Sequence, residues 1–315
     1  MTNNHGAGAV LVAPHQFPHL DRERALAQEF RLELVAATDQ KSFSAAMTTA
    51  EVVMVTPYAK VTAADIAAMR RCKAVVRYGM GYDNIDVAAA AAAGIPVSIV
   101  PDASTEEVAS HALAMGLALS RRLPQGQAAV RDGRWAGQLA YDAPKSTELQ
   151  VGVVGMGRIG RIVAGSWAAL GARVHAYDPF ASFSQVPAAP LAQVLEESDV
   201  VSLHLPLTDR TRHLVSGAVL RRMRRGAVVV NVSRGGLVDE QALAEALRSG
   251  HIAGAALDVF AEEPLPAEHV LRDAPHTILT PHIAWRSTTS LGALQDGAVA
   301  RARLALAGEP LIDLV

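Results

Sequence analysis

The stretch from Leu149 to Phe180, LQVGVVGMGRIGRIVAGSWAALGARVHAYDPF, decides the fold. Val151-Gly152-Val153-Val154 is short, apolar and β-branched, as a strand covered on both faces must be. It runs directly into Gly155-Met156-Gly157-Arg158-Ile159-Gly160. In that order the first glycine permits a tight turn, and the second lets the backbone approach a pyrophosphate with no Cβ in the way. The third lets the following helix pack close to the strand. The helix N-terminus then turns free N–H groups and the positive end of its dipole toward the phosphates. Ala172 to Tyr177 reads as the next strand, and Asp178 stands at its end, 18 residues past Gly160, where an acid can accept from the ribose hydroxyls of an adenosine. Glycines alone mark many ordinary turns. The strand before, the helix after and the acid at the right distance make this a dinucleotide-binding fingerprint. Two look-alikes lack that context: Gly6-x-Gly8 precedes its strand, and Gly79-Met80-Gly81-x-x-Asn84 has no acid in the ribose position.

Working outward, strands are expected at Ala9 to Ala13, Glu33 to Ala36, Glu51 to Thr56, Ala74 to Tyr78 and Pro96 to Val100, with helical stretches between. That alternation predicts one parallel α/β sheet. Pro14-His15-Gln16 follows its first strand where a phosphate turn would be needed, so this sheet should hold something other than the nucleotide. Downstream of the fingerprint, strands are expected at Val200 to Leu203, Ala227 to Asn231, Gly254 to Asp258 and Thr277 to Leu279. Each is followed by a polar or charged cluster at its carboxyl end, the edge where open parallel sheets bind ligands. The fold class is therefore α/β, with two Rossmann-like or flavodoxin-like parallel-sheet domains and the active site expected in the cleft between them. Residues 1–102 plus 288–315 form the expected substrate domain, the last helix (Thr288 to Ala307) crossing back to the first sheet, and residues 103–287 the expected NAD-binding domain.

Glu106 to Leu123, entered through Ser104 and Thr105, reads as a helix apolar nearly all round, which calls for a core or a subunit contact. Pro124 to Ser146, with Trp135 and Tyr141, reads as an irregular arm, and together these predict a homodimer. The other reading is packing within one chain.

At 315 residues and 50% hydrophobic content, the chain is long enough for two cores. A net charge of −2 gives no basic surplus for nucleic acid, and the arginine clusters at Arg121-Arg122 and Arg221 to Arg225 read as solvated helix ends. Cys72 is the single cysteine, which excludes internal disulfides and multi-cysteine metal sites and suits a reducing cytoplasm. The N-terminal MTNNHGAGAVLVAP has neither the basic region nor the apolar core of a signal peptide, and the apolar run Val87 to Val100 is too short to span a bilayer. A soluble cytoplasmic protein with no metal, membrane or nucleic-acid partner is expected.

Three clusters carry candidate chemistry: Asn231-Val232-Ser233-Arg234-Gly235-Gly236, Asp258 to Pro264, and Thr280-Pro281-His282-Ile283-Ala284-Trp285. An arginine can grip a carboxylate through two parallel hydrogen bonds, a histidine can exchange the alcohol proton, and a glutamate beside it would orient the ring and favour its protonated form. Singly, Arg234 could be a turn residue, Glu263 a solvated loop acid and His282 a capping or core histidine. Their joint occurrence favours chemistry on a 2-keto acid. His204-Leu205-Pro206 reads as part of the nucleotide pocket, since no metal-ligand spacing such as HExxH occurs.

The motifs RYGMGYDNID (Arg77 to Asp86), GMGRIG, HLPLT (His204 to Thr208), NVSRGGLVDE (Asn231 to Glu240), ALDVFAEEP (Ala256 to Pro264) and TPHIAW (Thr280 to Trp285) resemble the D-isomer-specific 2-hydroxyacid dehydrogenases, in family order over nearly the full length. The resemblance implies an NAD-dependent oxidoreductase with Arg234, Glu263 and His282 as its catalytic set, Glu263 being preferred to Glu262 because the family's glutamate directly precedes the proline. It implies substrate contacts from Arg77, Trp285 and the backbone N–H groups of Gly79, Met80 and Gly81. The implied cofactor contacts are Thr105, Gly155, Gly157, Arg158, Ile159, Gly160, Asp178, His204, Pro206, Val232, Ser233 and Asp258.

Arg77 and Trp285 are similar to the C-terminal-binding-protein branch, and Arg77 also to phosphoglycerate dehydrogenases, whose added regulatory domain has no room before Val315. Formate dehydrogenases would have glutamine where Glu263 stands. Asp178, with no arginine in Pro179-Phe180-Ala181-Ser182, predicts NAD over NADP, and Trp285 predicts an apolar or aromatic substrate tail, the other reading being a residue that only packs between domains. The alternative function is an NAD(H)-regulated dimeric interaction protein of the C-terminal-binding-protein type.

Overall fold

In the computed structural model, which describes residues 8–139 and 141–315, the chain divides into two compact units. One holds the residues up to Ser104 together with Arg286–Val315, and the other is Thr105–Trp285. Gly6 and the first half of the stretch read for a signal peptide lie outside the described residues, as does Ala140 within the proposed arm.

The first unit contains β1 (Ala9–Val12), β2 (Glu33–Ala36), β3 (Ala50–Val55), β4 (Ala74–Arg77) and β5 (Val97–Ile99). Their order is β2-β1-β3-β4-β5, with every ladder parallel. The continuous apolar runs are explained by cover on both faces: β1 and β4 are buried at every position, as is β3 except at Glu51. Leu11, Val53, Val55, Val75 and Val97 meet Phe43 and Met47 in one core. The helix Ser290–Ala307 belongs to this unit and packs on β3, β4 and the helix Asp21–Glu29. Between those helices Glu23 is fully buried, accepting from the Tyr78 hydroxyl (2.8 Å) and from Gln295 Nε2 (3.1 and 3.2 Å). The residues after the last helix close the sheet edge: Leu314 bridges antiparallel to Ser98, and the Val315 N–H donates to Val97 O (3.1 Å).

The second unit contains β6 (Gln150–Val154), β7 (Arg173–Tyr177), β8 (Val200–Leu203), β9 (Ala227–Asn231), β10 (Ile252–Leu257) and β11 (Thr277–Leu279). Its parallel order is β11-β10-β9-β8-β6-β7, so the winding reverses between β6 and β8. An open α/β sheet binds its ligand at such a switch point, beyond the carboxyl ends of the strands, and the glycine turn follows β6 there. The helix Arg158–Ala169 buries Trp167 to 1% exposure, which removes on the order of 200 Å² of indole from water, about 5 kcal/mol. Helix Thr105–Ser120 lies against it. A Cβ on Gly116 would stand 3.0 Å from Trp167 Cζ2, so the close helix–helix approach requires glycine.

Two sequence expectations change. The helix read as apolar all round buries Ala109, Ala112, Met115, Gly116 and Leu119 along one face in its own unit, and its remaining faces are partly exposed. The segment from Pro124, expected to be irregular, instead begins with a second helix, Leu123–Arg131. Arg122 in the left-handed conformation (φ 56°) ends the first helix, and Pro124 sits in the first turn of the second, where its missing N–H costs no bond. Proline there starts a helix instead of breaking one. Among the described residues no helix is long and apolar enough to cross a membrane.

Candidate functional site

The three glycines of the fingerprint differ in what surrounds them. Gly155 has φ +97°, and a Cβ on it would lie 2.2 Å from the carbonyl oxygen of His204. On Gly160 a Cβ would lie 1.9 Å from Gly155 O, whereas at Gly157 nothing stands within 4 Å. Two of them are therefore glycine because the turn folds tightly on itself, and Gly157 faces open space beside the N-terminus of Arg158–Ala169. A pyrophosphate fits that opening, meeting backbone and a helix dipole. Ile159 is half-buried against the core at the same helix start.

Asp178 follows β7 and belongs to the turn itself: Met156 N–H donates to its Oδ2 (2.8 Å), and the N–H groups of Phe180 (2.8 Å) and Ala181 (3.0 Å) donate to Oδ1. Burial raises this carboxyl, but the three backbone donors and the Arg161 charge outweigh it and hold it below its ordinary range. The carboxylate stays charged. His204 begins the loop after β8, its Nε2 on Ser202 Oγ (2.8 Å), and burial pushes its ring down to about 3, so it is neutral. Pro206 O accepts from Thr211 Oγ1 (2.8 Å), which fixes the same loop.

Beyond β9, fully buried Asn231 shapes the turn. Its Oδ1 accepts from Ser233 N–H (3.0 Å) and its Nδ2 donates to Arg234 O (2.8 Å), while Ser233 Oγ donates to Leu203 O (2.8 Å) and Val232 is buried. A Cβ on Gly235 would fall 1.8 Å from the carbonyl carbon of Phe260, so only glycine lets the Arg234 turn seat on the loop after β10. That loop carries Glu263. Its Oε1 accepts from Phe260 N–H (2.9 Å), and its Oε2 lies 2.6 Å from His282 Nδ1. Burial raises the Glu263 carboxyl, yet the hydrogen bond and charge of His282, the Phe260 N–H and the nearby Arg234 charge together bring it below its ordinary value. An ionised carboxylate only accepts, so the ring hydrogen of His282 sits on Nδ1 and Nε2 is the atom left for a substrate.

His282 itself has φ 54°, held by its N–H to Asp258 O (2.9 Å). Asp258, fully buried at the end of β10, accepts from Ile283 N–H (2.9 Å), Ala284 N–H (2.8 Å) and the Thr280 hydroxyl (2.5 Å). Its carboxylate ties down the loop that presents His282. Trp285 Nε1 donates to His282 O (2.9 Å), bracing the same turn from its far side.

The second unit thus brings Arg234, Glu263 and His282 together. Arg77 ends β4 in the first unit, and Gly79, Met80 and Gly81 follow on the loop after it. Arg77 is buried, with its guanidinium donating to Tyr78 O, and Gly79 has φ +116°. Among the described residues the N–H groups of Gly79, Met80 and Gly81 have no hydrogen-bond acceptor within the chain's own backbone or side chains. Thr105 opens the first helix of the second unit.

Sequence reasoning missed three residues. Glu240 accepts from Ala261 N–H (2.8 Å) and lies 3.1 Å from His269 Nε2, a second Glu–His pair under the Glu263 loop. Burial raises the Glu240 carboxyl against the pull of those two partners. His111 Nε2 lies 3.2 Å from Thr280 Oγ1 and 3.8 Å from Asp258 Oδ1. Glu240 closes the NVSRGGLVDE motif and was findable there, whereas nothing near His111 or His269 in sequence signals their partners.

Comparison with known proteins follows the same lines. Residues 113–284 match the family model for the D-isomer specific 2-hydroxyacid dehydrogenase, NAD binding domain. A D-3-phosphoglycerate dehydrogenase of Mycobacterium tuberculosis is 37% identical over 296 residues, 92% of this chain and 56% of that protein. The chain therefore spans little more than half the length of that curated relative. A glyoxylate reductase of Korarchaeum cryptofilum is 43% identical over 225 residues, 68% of this chain and 67% of that one. Among solved structures, the D-lactate dehydrogenase of Aquifex aeolicus, complexed with NAD and lactic acid, superposes with a TM-score of 0.88 at 29% identity over 95% of this chain and 96% of that one.

Proposed function

The chain belongs to the D-isomer-specific 2-hydroxyacid dehydrogenase family, and on that premise we propose that it catalyses reversible hydride transfer between NADH and a small 2-keto acid. The observation that carries this reading is the 2.6 Å contact of Glu263 with His282, in a loop cluster that also holds Arg234. The nicotinamide, when bound, supplies the hydride. In reduction, His282 as imidazolium gives the Nε2 proton to the carbonyl oxygen, and in oxidation the neutral ring takes it back. Glu263 fixes the ring by its Nδ1 hydrogen and stabilises the imidazolium. Arg234 grips the substrate carboxylate and offsets charge developing on the oxygen. Gly79, Met80 and Gly81 would hold the carboxylate by backbone N–H groups. Gly155, Gly157 and Gly160 with the helix N-terminus at Arg158 and Ile159 take the pyrophosphate, and Asp178 takes the ribose. Thr105, His204, Pro206, Val232 and Ser233 line the cofactor. Any contact of Asp258 with the cofactor has to share a carboxylate that already accepts three hydrogen bonds.

A panel of 2-keto acids with NADH, followed by nicotinamide absorbance, tests the reading. Turnover of at least one member, abolished by His282→Ala, is expected. No turnover with any member would move weight to the NAD(H)-regulated interaction protein, which is less favoured because the named relatives are a dehydrogenase and a reductase.

The finer points rest on single features. Cytoplasmic residence rests on the single cysteine, and a homodimer rests on the partly exposed flank of Thr105–Ser120 and on Leu123, Val130 and Trp135, the last 73% exposed. Sedimentation as a monomer at micromolar concentration would rule the dimer out.

A further inference from the structure

The amino ends of β9, β10 and β11 carry nothing that hydride transfer uses, yet they border a concave space of about 570 Å³. Arg225 leads into β9, Ser249 and Gly250 turn from the helix Glu240–Arg248 into β10, and His276 directly precedes β11. Arg122, at the left-handed break between two helices, completes the wall with Arg248. Among the described residues no carboxylate lines the space.

Basic residues after helix C-termini ordinarily cap carbonyl groups. Here that role takes up little of their donor capacity. Arg122 donates from Nη1 to Ala253 O (3.3 Å) and Arg248 from Nη2 to Val270 O (2.9 Å), one of the several N–H groups each guanidinium carries. Arg122 Nε is buried with no partner among the described residues, and Arg225 has none there for any of its nitrogens. Gln125 Nε2 lies 2.9 Å from His276 Nδ1, which anchors that ring at the wall. Three arginines thus line one volume, and among its described lining residues there is no carboxylate to balance them.

We propose that this groove binds a small polyanion, a molecule carrying at least two phosphate or carboxylate groups. The volume is within the range of small-molecule sites and far exceeds a monatomic ion. Several arginines lining one space suit planar, two-oxygen acceptors more than a diffuse counter-ion cloud. The strands concerned lead at their other ends to Arg234, Asp258 and His282, so the groove is a separate site on the same scaffold.

The test uses the full chain saturated with NADH, so that the dinucleotide's own phosphate site is filled. Calorimetric titrations with pyrophosphate and, separately, with citrate distinguish a phosphate from a carboxylate ligand. A single site is expected for at least one probe, weakened about tenfold in the Arg225→Gln, Arg248→Gln double variant. It should also weaken measurably in Arg225→Gln alone, whose side chain has no partner to lose. Arg24→Gln, the same charge change on an exposed helix position, should leave the affinity unchanged. Absence of binding by both probes, or equal affinity in the double variant and wild type, would overturn the proposal, and neither outcome bears on keto-acid turnover.

Discussion

Replacing Glu263 by glutamine isolates the electrostatic part of the proton-transfer device. The amide keeps the size and a hydrogen-bond acceptor for His282 Nδ1 but removes the charge. The pair is 2.6 Å apart, with 41% of the histidine and 36% of the glutamate side chain exposed, so solvent screens much of the interaction. At the dielectric of water, unit charges at that separation attract by about 1.6 kcal/mol, within the range for a hydrogen bond to a charged group. That is roughly one pH unit of protonation equilibrium. Its sign follows from the contact: His282 helps hold the Glu263 carboxyl below its ordinary value, and the substitution removes the charge on which that attraction acts. The high-pH fall of kcat/KM for keto-acid reduction should move down by roughly one pH unit, and the rising limb for alcohol oxidation should move the same way. Glu262→Gln, one residue earlier with no partner among the described residues, should move neither. Profiles measured in both directions decide it. A limb unmoved in Glu263→Gln, or moved by Glu262→Gln, would refute the reasoning.

Gly157→Ala places its methyl in open space, so it should leave the melting temperature nearly unchanged while weakening NADH binding, read by nucleotide fluorescence. Gly160→Ala forces a methyl to 1.9 Å from Gly155 O and should cost about 1–3 kcal/mol of stability in denaturant titration. NADH should be used at least about tenfold more efficiently than NADPH, because a 2′-phosphate would meet the ionised Asp178; equal kcat/KM with both cofactors would displace Asp178 from the ribose. Asn231→Ala removes the bonds that shape the Arg234 turn and should raise KM for the keto acid more than KM for NADH.

How much of this could be read in advance depended on the range of the forces involved. Buried strands such as Val200–Leu203 and Ala227–Asn231 declare themselves by composition, because cover on both faces excludes polar side chains. The roles of Gly155, Gly157 and Gly160 follow from their order after a strand. Choosing Glu263 over Glu262 came from a family pattern, and the geometry brings Glu263, not Glu262, to the histidine. Contacts that join distant segments were illegible: Glu240 with His269, and His111 with Thr280, are separated by loops whose path no local signal encodes. The helix Leu123–Arg131, which holds Pro124 and opens the segment read as an irregular arm, was hidden for a different reason. The residue that breaks a helix in its interior is favoured in a first turn, and only the left-handed Arg122 shows which case applies.

The return of the chain to its first sheet sets an order of events during synthesis. Every residue of the unit Thr105–Trp285 has been made while Arg286–Val315 is still unsynthesised, so the unit that begins second is the first that can be complete. Until then the first sheet lacks the helix that covers β3 and β4 and supplies Gln295 to the buried Glu23, and β5 lacks the backbone partner it finds near Leu314. An uncovered apolar sheet with an open edge is a surface that chaperones recognise and that aggregates self-assemble upon. A chain truncated just before Arg286 should therefore present one protease-resistant body, Thr105–Trp285, and one sensitive one.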